Sequence, residues 1–116
     1  MTHANDHFGQ HNGTEHFYSC RPFPFTYTDG VRDLVQNCKA YWLLELIVCY
    51  QVYERVSSHS FQVWELKRAQ GDSFDLLATD GNDHEIASQH VPFSDFPFDV
   101  AIIWMVDGTL LLPCEY

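Results

Sequence analysis

The stretch "VAIIWMVDGTLLLP", residues 100–113, decides the fold class. Two apolar runs flank an Asp-Gly pair at 107–108. Asp-Gly readily supplies the two positive-φ residues of a tight hairpin turn. Two strands folding back on each other make an antiparallel sheet the natural frame. Both arms are apolar throughout instead of alternating, so both faces of this hairpin are expected to be covered.

Read backwards from the hairpin, the chain continues as strands. "SDFPFD" (94–99) is a loop held stiff by proline, and "EIASQHVPF" (85–93) is a short strand that Pro92 ends. "DGND" (80–83) is a turn signal, and "SFDLLATD" (73–80) is the strand before it. "FQVWELKR" (61–68) alternates with period two. Phe61, Val63 and Glu65 fall on one face, with Gln62, Trp64 and Leu66 on the other.

Before residue 57 the period changes. "DGVRDLVQNC" (29–38) puts Val31, Leu34, Val35 and Cys38 at helical spacing, with Thr28 or Asp29 as N-cap and an end near Asn37. "KAYWLLELIVCYQVYERV" (39–56) is apolar at almost every angle, the pattern of a core helix. Pro22 and Pro24 in "FYSCRPFPFTYTDG" (17–30) exclude a helix there and suit an extended edge segment. Residues 1–14 are polar, rich in histidine and interrupted by Gly9 and Gly13, which describes a flexible tail. The expected architecture is therefore α+β. An antiparallel sheet of about five strands, with two helices packed on one face, forms a single domain over residues 15–116.

The totals narrow the class. A chain of 116 residues, 46% of them hydrophobic, can bury a core without a staple. The polar N-terminus has no apolar signal region, and the longest apolar run is too short to cross a bilayer. These features point to a cytoplasmic protein. Of the four cysteines, Cys20, Cys38, Cys49 and Cys114, three sit in apolar sequence, where a thiol packs as a small hydrophobe. There is no C-x-x-C.

Charge is distributed unevenly. Residues 1–68 carry seven acids and six bases, whereas residues 69–116 carry nine acids and no base. An acidic surface repels phosphate, which disfavours direct binding of nucleic acid or anionic membrane and favours a basic protein partner.

"YTDGVRDLVQNCKAYWLLELI", "FQVWELK", "DGND", "QHVPFSDFPF" and "LLLPCEY" together resemble an uncharacterised domain-of-unknown-function family of small bacterial, plasmid- and phage-encoded proteins. The resemblance spans roughly residues 14–116 and carries no catalytic residues with it. It implies a compact single domain that travels with mobile elements, in which a host-interaction or anti-defence role has a place. The chain departs from the family pattern at Glu45, where aspartate is expected, and at Cys114, where serine is expected.

Four constellations can carry chemistry. His3, His7, His11 and His16 recur near helical spacing, but the glycines among them oppose a preorganised metal site. "DGNDHE" (80–85) departs from a calcium loop because Gly81 comes too early. Glu45 stands in the apolar helix, where a buried carboxylate must be paired or neutral; Arg32 or Lys67 could pair it, and His90, Asp95 or Glu115 could join it in an acid site. The loop "HVPFSDFPF" (90–98) carries Phe93, Phe96 and Phe98, rings that either plug the open face of the sheet or, with one or two left exposed, serve as aromatic anchors rimmed by Asp95 and Asp99.

The leading expectation is a non-enzymatic interaction protein of a mobile element. Asp80, Asp83, Glu85, Phe93, Asp95, Phe96 and Asp99 would bind a basic, nucleic-acid-handling host protein, in the sharpest form as an anti-defence inhibitor such as an anti-CRISPR. Carboxylates on alternate strand positions, about 6.6 Å apart, approach the spacing of phosphates. The alternatives are a small enzyme using Glu45 or a His/Asp pair, and a structural or oligomeric domain joined through the last hairpin. No cofactor and no metal is expected.

Overall fold

The structure, a computed structural model, describes residues 1–9, 16–20 and 23–116. Its elements run α1 (Ala4–His7), β1 (Phe17–Ser19), β2 (Thr26–Thr28), α2 (Asp29–Asn37), α3 (Tyr41–Tyr50), α4 (Glu54–Ser57), β3 (Phe61–Arg68), β4 (Phe74–Thr79), β5 (Glu85–Val91), β6 (Val100–Val106) and β7 (Thr109–Leu111), followed by a short helical turn at Pro113–Glu115. The strands form one seven-stranded sheet in the order β1-β2-β7-β6-β3-β4-β5.

The hairpin of residues 100–113 lies inside this sheet. Asp107 (φ 49°) and Gly108 (φ 85°) make the turn, and Trp104 pairs with Leu111, Met105 with Leu110 and Val106 with Thr109. β6 also pairs antiparallel with β3, β3 shows the expected alternation, and β3, β4 and β5 form an antiparallel meander.

The expected five-stranded antiparallel sheet with two helices is corrected in two respects. The sheet has seven strands and is mixed, because β2 runs parallel to β7, pairing Thr26 with Thr109 and Tyr27 with Leu110. There are four helices among the described residues. The additional elements escape a periodicity reading because they are too short to repeat. β1 and β2 have three residues each and α1 has four, whereas α4 is the end of the helix expected over 39–56, which breaks into α3 and α4 at residues 51–53. The parallel pairing is set by tertiary placement, since no local turn joins β2 to β7.

One sheet face carries Gln62, Trp64, Leu66, Leu76, Ala78, Ala101, Ile103, Met105 and Leu110, all buried. The helices close this face. Val31, Leu34 and Val35 of α2 and Leu43, Leu44, Ile47 and Val48 of α3 join the same core. Tyr50 of α3 stacks 5.6 Å from the Trp64 ring, and its hydroxyl donates to the Gln89 side chain at 2.8 Å. The buried Gln62 amide exchanges two 2.9 Å hydrogen bonds with Gln51 and accepts from the Trp64 indole at 2.9 Å. Satisfied in this way, a buried amide fixes the register of α3 over β3.

The opposite face is less covered than continuous apolarity implies. Ile102, Trp104 and Val106 remain half-buried beside Phe61 and Val63. The Tyr116 ring shields part of this face, 5.4 Å from Trp104 and 6.5 Å from Phe61.

Residues 1–9, expected in a mobile tail, lie against the body; residues 10–14 of that tail lie outside the described residues. β7 is shorter than β6, which leaves the first half of β6 open on that side. The N-terminal segment fills the gap. His3 bridges Val100 in parallel sense, and the Asn5 amide donates to Ile102 O at 2.8 Å and accepts from Ile102 N at 2.6 Å. Ala4 and Phe8 enter the core. No helix among the described residues is long and apolar enough to cross a membrane.

Candidate functional site

The acids after residue 68 divide into those the fold uses and those it leaves in water. Asp80 is used. Its Oδ1 accepts the backbone N–H of Asn82 at 2.8 Å and of His84 at 3.3 Å, and its Oδ2 meets the His84 ring at 2.9 Å. These donors hold its carboxyl below the usual carboxylate range, the Asn82 N–H contributing most. It is the organising residue of the β4–β5 turn. Asp83 (φ 65°) and Glu85 stand exposed beside it, without an ion pair to any described residue.

The β5–β6 loop divides in the same way. Phe96 is only 2% exposed and packs edge-on against Phe74, with ring centroids 5.9 Å apart. Phe93 is 71% exposed, and Asp95 is exposed next to it. Asp99 is tied down from two sides. Its Oδ2 accepts Thr2 N at 2.8 Å and Thr2 Oγ1 at 3.1 Å, and its Oδ1 accepts Arg68 Nε at 2.8 Å. The Thr2 N–H and then Arg68 bring its carboxyl down to about 2. Arg68, the last cation of the chain, also donates to the carbonyls of Gly71, Phe96 and Phe98, while its guanidinium lies 4.6 Å from the centre of the Phe74 ring.

Of the seven residues expected to bind a partner, Asp83, Glu85, Phe93 and Asp95 are therefore presented to solvent. Phe96 belongs to the core, and Asp80 and Asp99 are engaged by the fold. The exposed residues lie at the two ends of β5. That strand has one sheet neighbour, β4, and at about 3.3 Å per residue it separates the two groups by roughly 20 Å.

Glu45 is exposed, contrary to its expected burial. α3 turns Leu43, Leu44, Ile47 and Val48 inward and leaves Tyr41, Glu45 and Cys49, spaced by four, on its outer side. This stripe forms one wall of a cleft of about 370 Å³. The other wall is the β1–β2 hairpin, with Ser19, Cys20, Phe23 and Tyr27; Leu44 and Val48 complete the lining. Glu45 has no hydrogen bond or ion pair to any described residue, Arg32 and Lys67 included. Burial, followed by the neighbouring Tyr41 phenol, pushes the Tyr27 hydroxyl up. His90, Asp95 and Glu115, the residues considered as partners for Glu45, do not line the cleft. Tyr27, Tyr41 and Cys49 do. The sequence signal for this wall was the Tyr-x-x-x-Glu-x-x-x-Cys spacing, hidden because tyrosine and cysteine read as apolar.

Two His/Asp pairs form, His84 with Asp80 at 2.9 Å and His90 with Asp75 at 2.8 Å. Both histidines are exposed, and no hydroxyl or thiol is hydrogen-bonded to either ring among the described residues. Of the N-terminal histidines, His7 lies 5.3 Å from the Phe98 ring and His16 is 3.7 Å from Asp29; His11 lies outside the described residues. No group of three or more metal-ligating side chains forms among the described residues. None of the four cysteines is in a disulfide among the described residues, and only Cys38 is buried, its thiol raised to about 11 by desolvation.

Glu115 closes the C-terminal turn onto α2. Its Oε1 accepts from Thr28 Oγ1 at 2.6 Å and from Leu112 N at 3.0 Å, and its Oε2 accepts from Gly30 N at 3.1 Å. A carboxylate at a helix N-terminus satisfies otherwise orphaned donors. Gly30 permits the approach, since a Cβ there would stand 2.5 Å from Glu115 Oε1. Glu115 is thus an anchor of the fold.

Residues 2–116 match the model of a protein family described as a family of unknown function, DUF6876. No curated protein and no solved structure matches the chain.

Proposed function

We propose, for a chain that belongs to this family of unknown function, that it is a non-enzymatic interaction protein whose acidic side binds a basic surface of another protein. The observation that carries the reading is the absence of any Lys or Arg after Arg68, with Asp83 and Glu85 at one end of β5 and Asp95 beside the exposed Phe93 at the other, all in water and without an ion pair to any described residue. An aromatic side chain supplies contact area at a desolvated centre, and flanking carboxylates orient a cationic partner and speed its approach. Like-charge repulsion keeps nucleic acid itself away.

The finer reading takes its setting from the family resemblance to mobile-element proteins. There the partner is a nucleic-acid-handling protein of the host, and occupation of its phosphate-binding surface makes this chain an anti-defence inhibitor of the anti-CRISPR kind. Asp83 and Glu85 at one end of β5 and Asp95 at the other would span that surface.

The test is capture of partners from bacterial lysate at low and high salt, with the native chain and with Asp83→Lys, Glu85→Lys and Asp95→Lys combined. The expected result is one basic nucleic-acid-binding protein, released by salt and absent with the triple variant. A partner retained equally by both chains, or no specific partner at all, overturns the reading.

A further inference from the structure

We propose that the cleft between the β1–β2 hairpin and α3 binds a small organic ammonium ion. Three aromatic residues line it, Phe23, Tyr27 and Tyr41, and a ring face attracts a cation through its quadrupole. A carboxylate stands in the same wall. Glu45 is solvated and has no partner among the described residues, so its charge is available to whatever enters. The floor, Leu44 and Val48, is apolar. An apolar floor disfavours a small, strongly hydrated ion and suits a nitrogen carrying alkyl groups. A volume of about 370 Å³ is at the small end of ligand pockets and fits a head group with a few carbons.

Among the described residues, no Lys or Arg lines the cleft. The Arg32 guanidinium lies over Tyr18, 4.6 Å from its ring centre, and donates to the Tyr18 hydroxyl at 3.0 Å. Tyr18 is not part of the cleft lining. The ammonium site is independent of the acidic side and stands whether or not a protein partner is found.

The experiment is an amide NMR titration with choline and, separately, with its neutral isostere in which carbon replaces the quaternary nitrogen. Choline should shift the amides of Tyr27, Tyr41 and Cys49 saturably, and the isostere should bind about tenfold more weakly or worse. Glu45→Gln, at an exposed position, should weaken choline roughly tenfold and leave the isostere unchanged. A second variant, Tyr41→Leu, should weaken choline while keeping the apolar volume. Equal affinity for the two probes overturns the proposal. So does choline binding that Glu45→Gln leaves intact, or shifts confined to the Asp83–Glu85 turn, or no saturable shift with either probe.

Discussion

The acidic side around β5 and the cleft beside α3 hold carboxylates of opposite history. On the acidic side charge is abundant, yet two of the seven residues singled out there, Asp80 and Asp99, are consumed by backbone N–H groups, a histidine ring and Arg68. In the cleft a single carboxylate, Glu45, has no partner among the described residues. Counting acids therefore overstates one region and overlooks the other. Availability depends on the donors within reach. Turns are rich in free N–H groups and capture nearby aspartates, whereas the outer face of a helix has none to offer.

This contrast can be broken most severely at Arg68. Arg68→Ala removes the donor shared by Asp99 and three loop carbonyls, and should cost roughly 2–3 kcal/mol in urea unfolding, as loss of a charged donor to part-buried acceptors does. A loss no larger than that of a surface substitution would mean that the β5–β6 loop holds without it.

A smaller effect should appear with acid. Asp99 titrates near 2 when folded, against an ordinary value of 3.8. A depressed folded value means that its contribution is complete above the unfolded value and is lost as pH falls through the folded one. Between those two values the native chain should lose stability with falling pH more steeply than Asp99→Asn, as measured by unfolding at a series of pH values. Parallel curves would place the acid sensitivity elsewhere.

The smallest effect is expected where charge is free. The combined Asp83, Glu85 and Asp95 reversal should change unfolding stability by no more than about 0.5 kcal/mol per site, because no described residue bonds to their side chains. Reversing Asp80 or Asp99 alongside them would confound lost binding with lost structure.

Much of this was legible in the sequence, and unevenly. β3, β4, β5 and the β6–β7 hairpin are visible because period-two alternation and an Asp-Gly turn are local signals. The division of β3 into a Phe61–Val63 face and a Gln62–Trp64 face is set by the pleat alone. The sequence marks β1 and β2 only as an extended edge, and the parallel pairing of β2 with β7 depends on contacts more than eighty positions away. Docking of the N-terminal segment had one faint signal, the Ala4 and Phe8 pair spaced by four within a polar run. The Asn5 amide that caps Ile102 had none, since any polar tail contains such residues. At the candidate sites, exposure of Phe93 and burial of Phe96 could not be told apart, because both follow the same proline-rich pattern. Glu45 was placed in a core that the Tyr41–Glu45–Cys49 stripe does not enter.

The bond from Thr28 to Glu115 joins positions 87 apart, and the Thr26–Thr109 contact joins positions 83 apart. These distances along the chain govern the order of events during synthesis. β2 and α2 leave the ribosome first, but β7, the strand on the inner side of β2, and the carboxylate that seats α2 follow more than eighty residues later. Closing so long a loop is entropically unfavourable until the intervening meander has formed, and it slows the final step. During that interval the early elements wait without their neighbours, and there the chain is most open to misassembly.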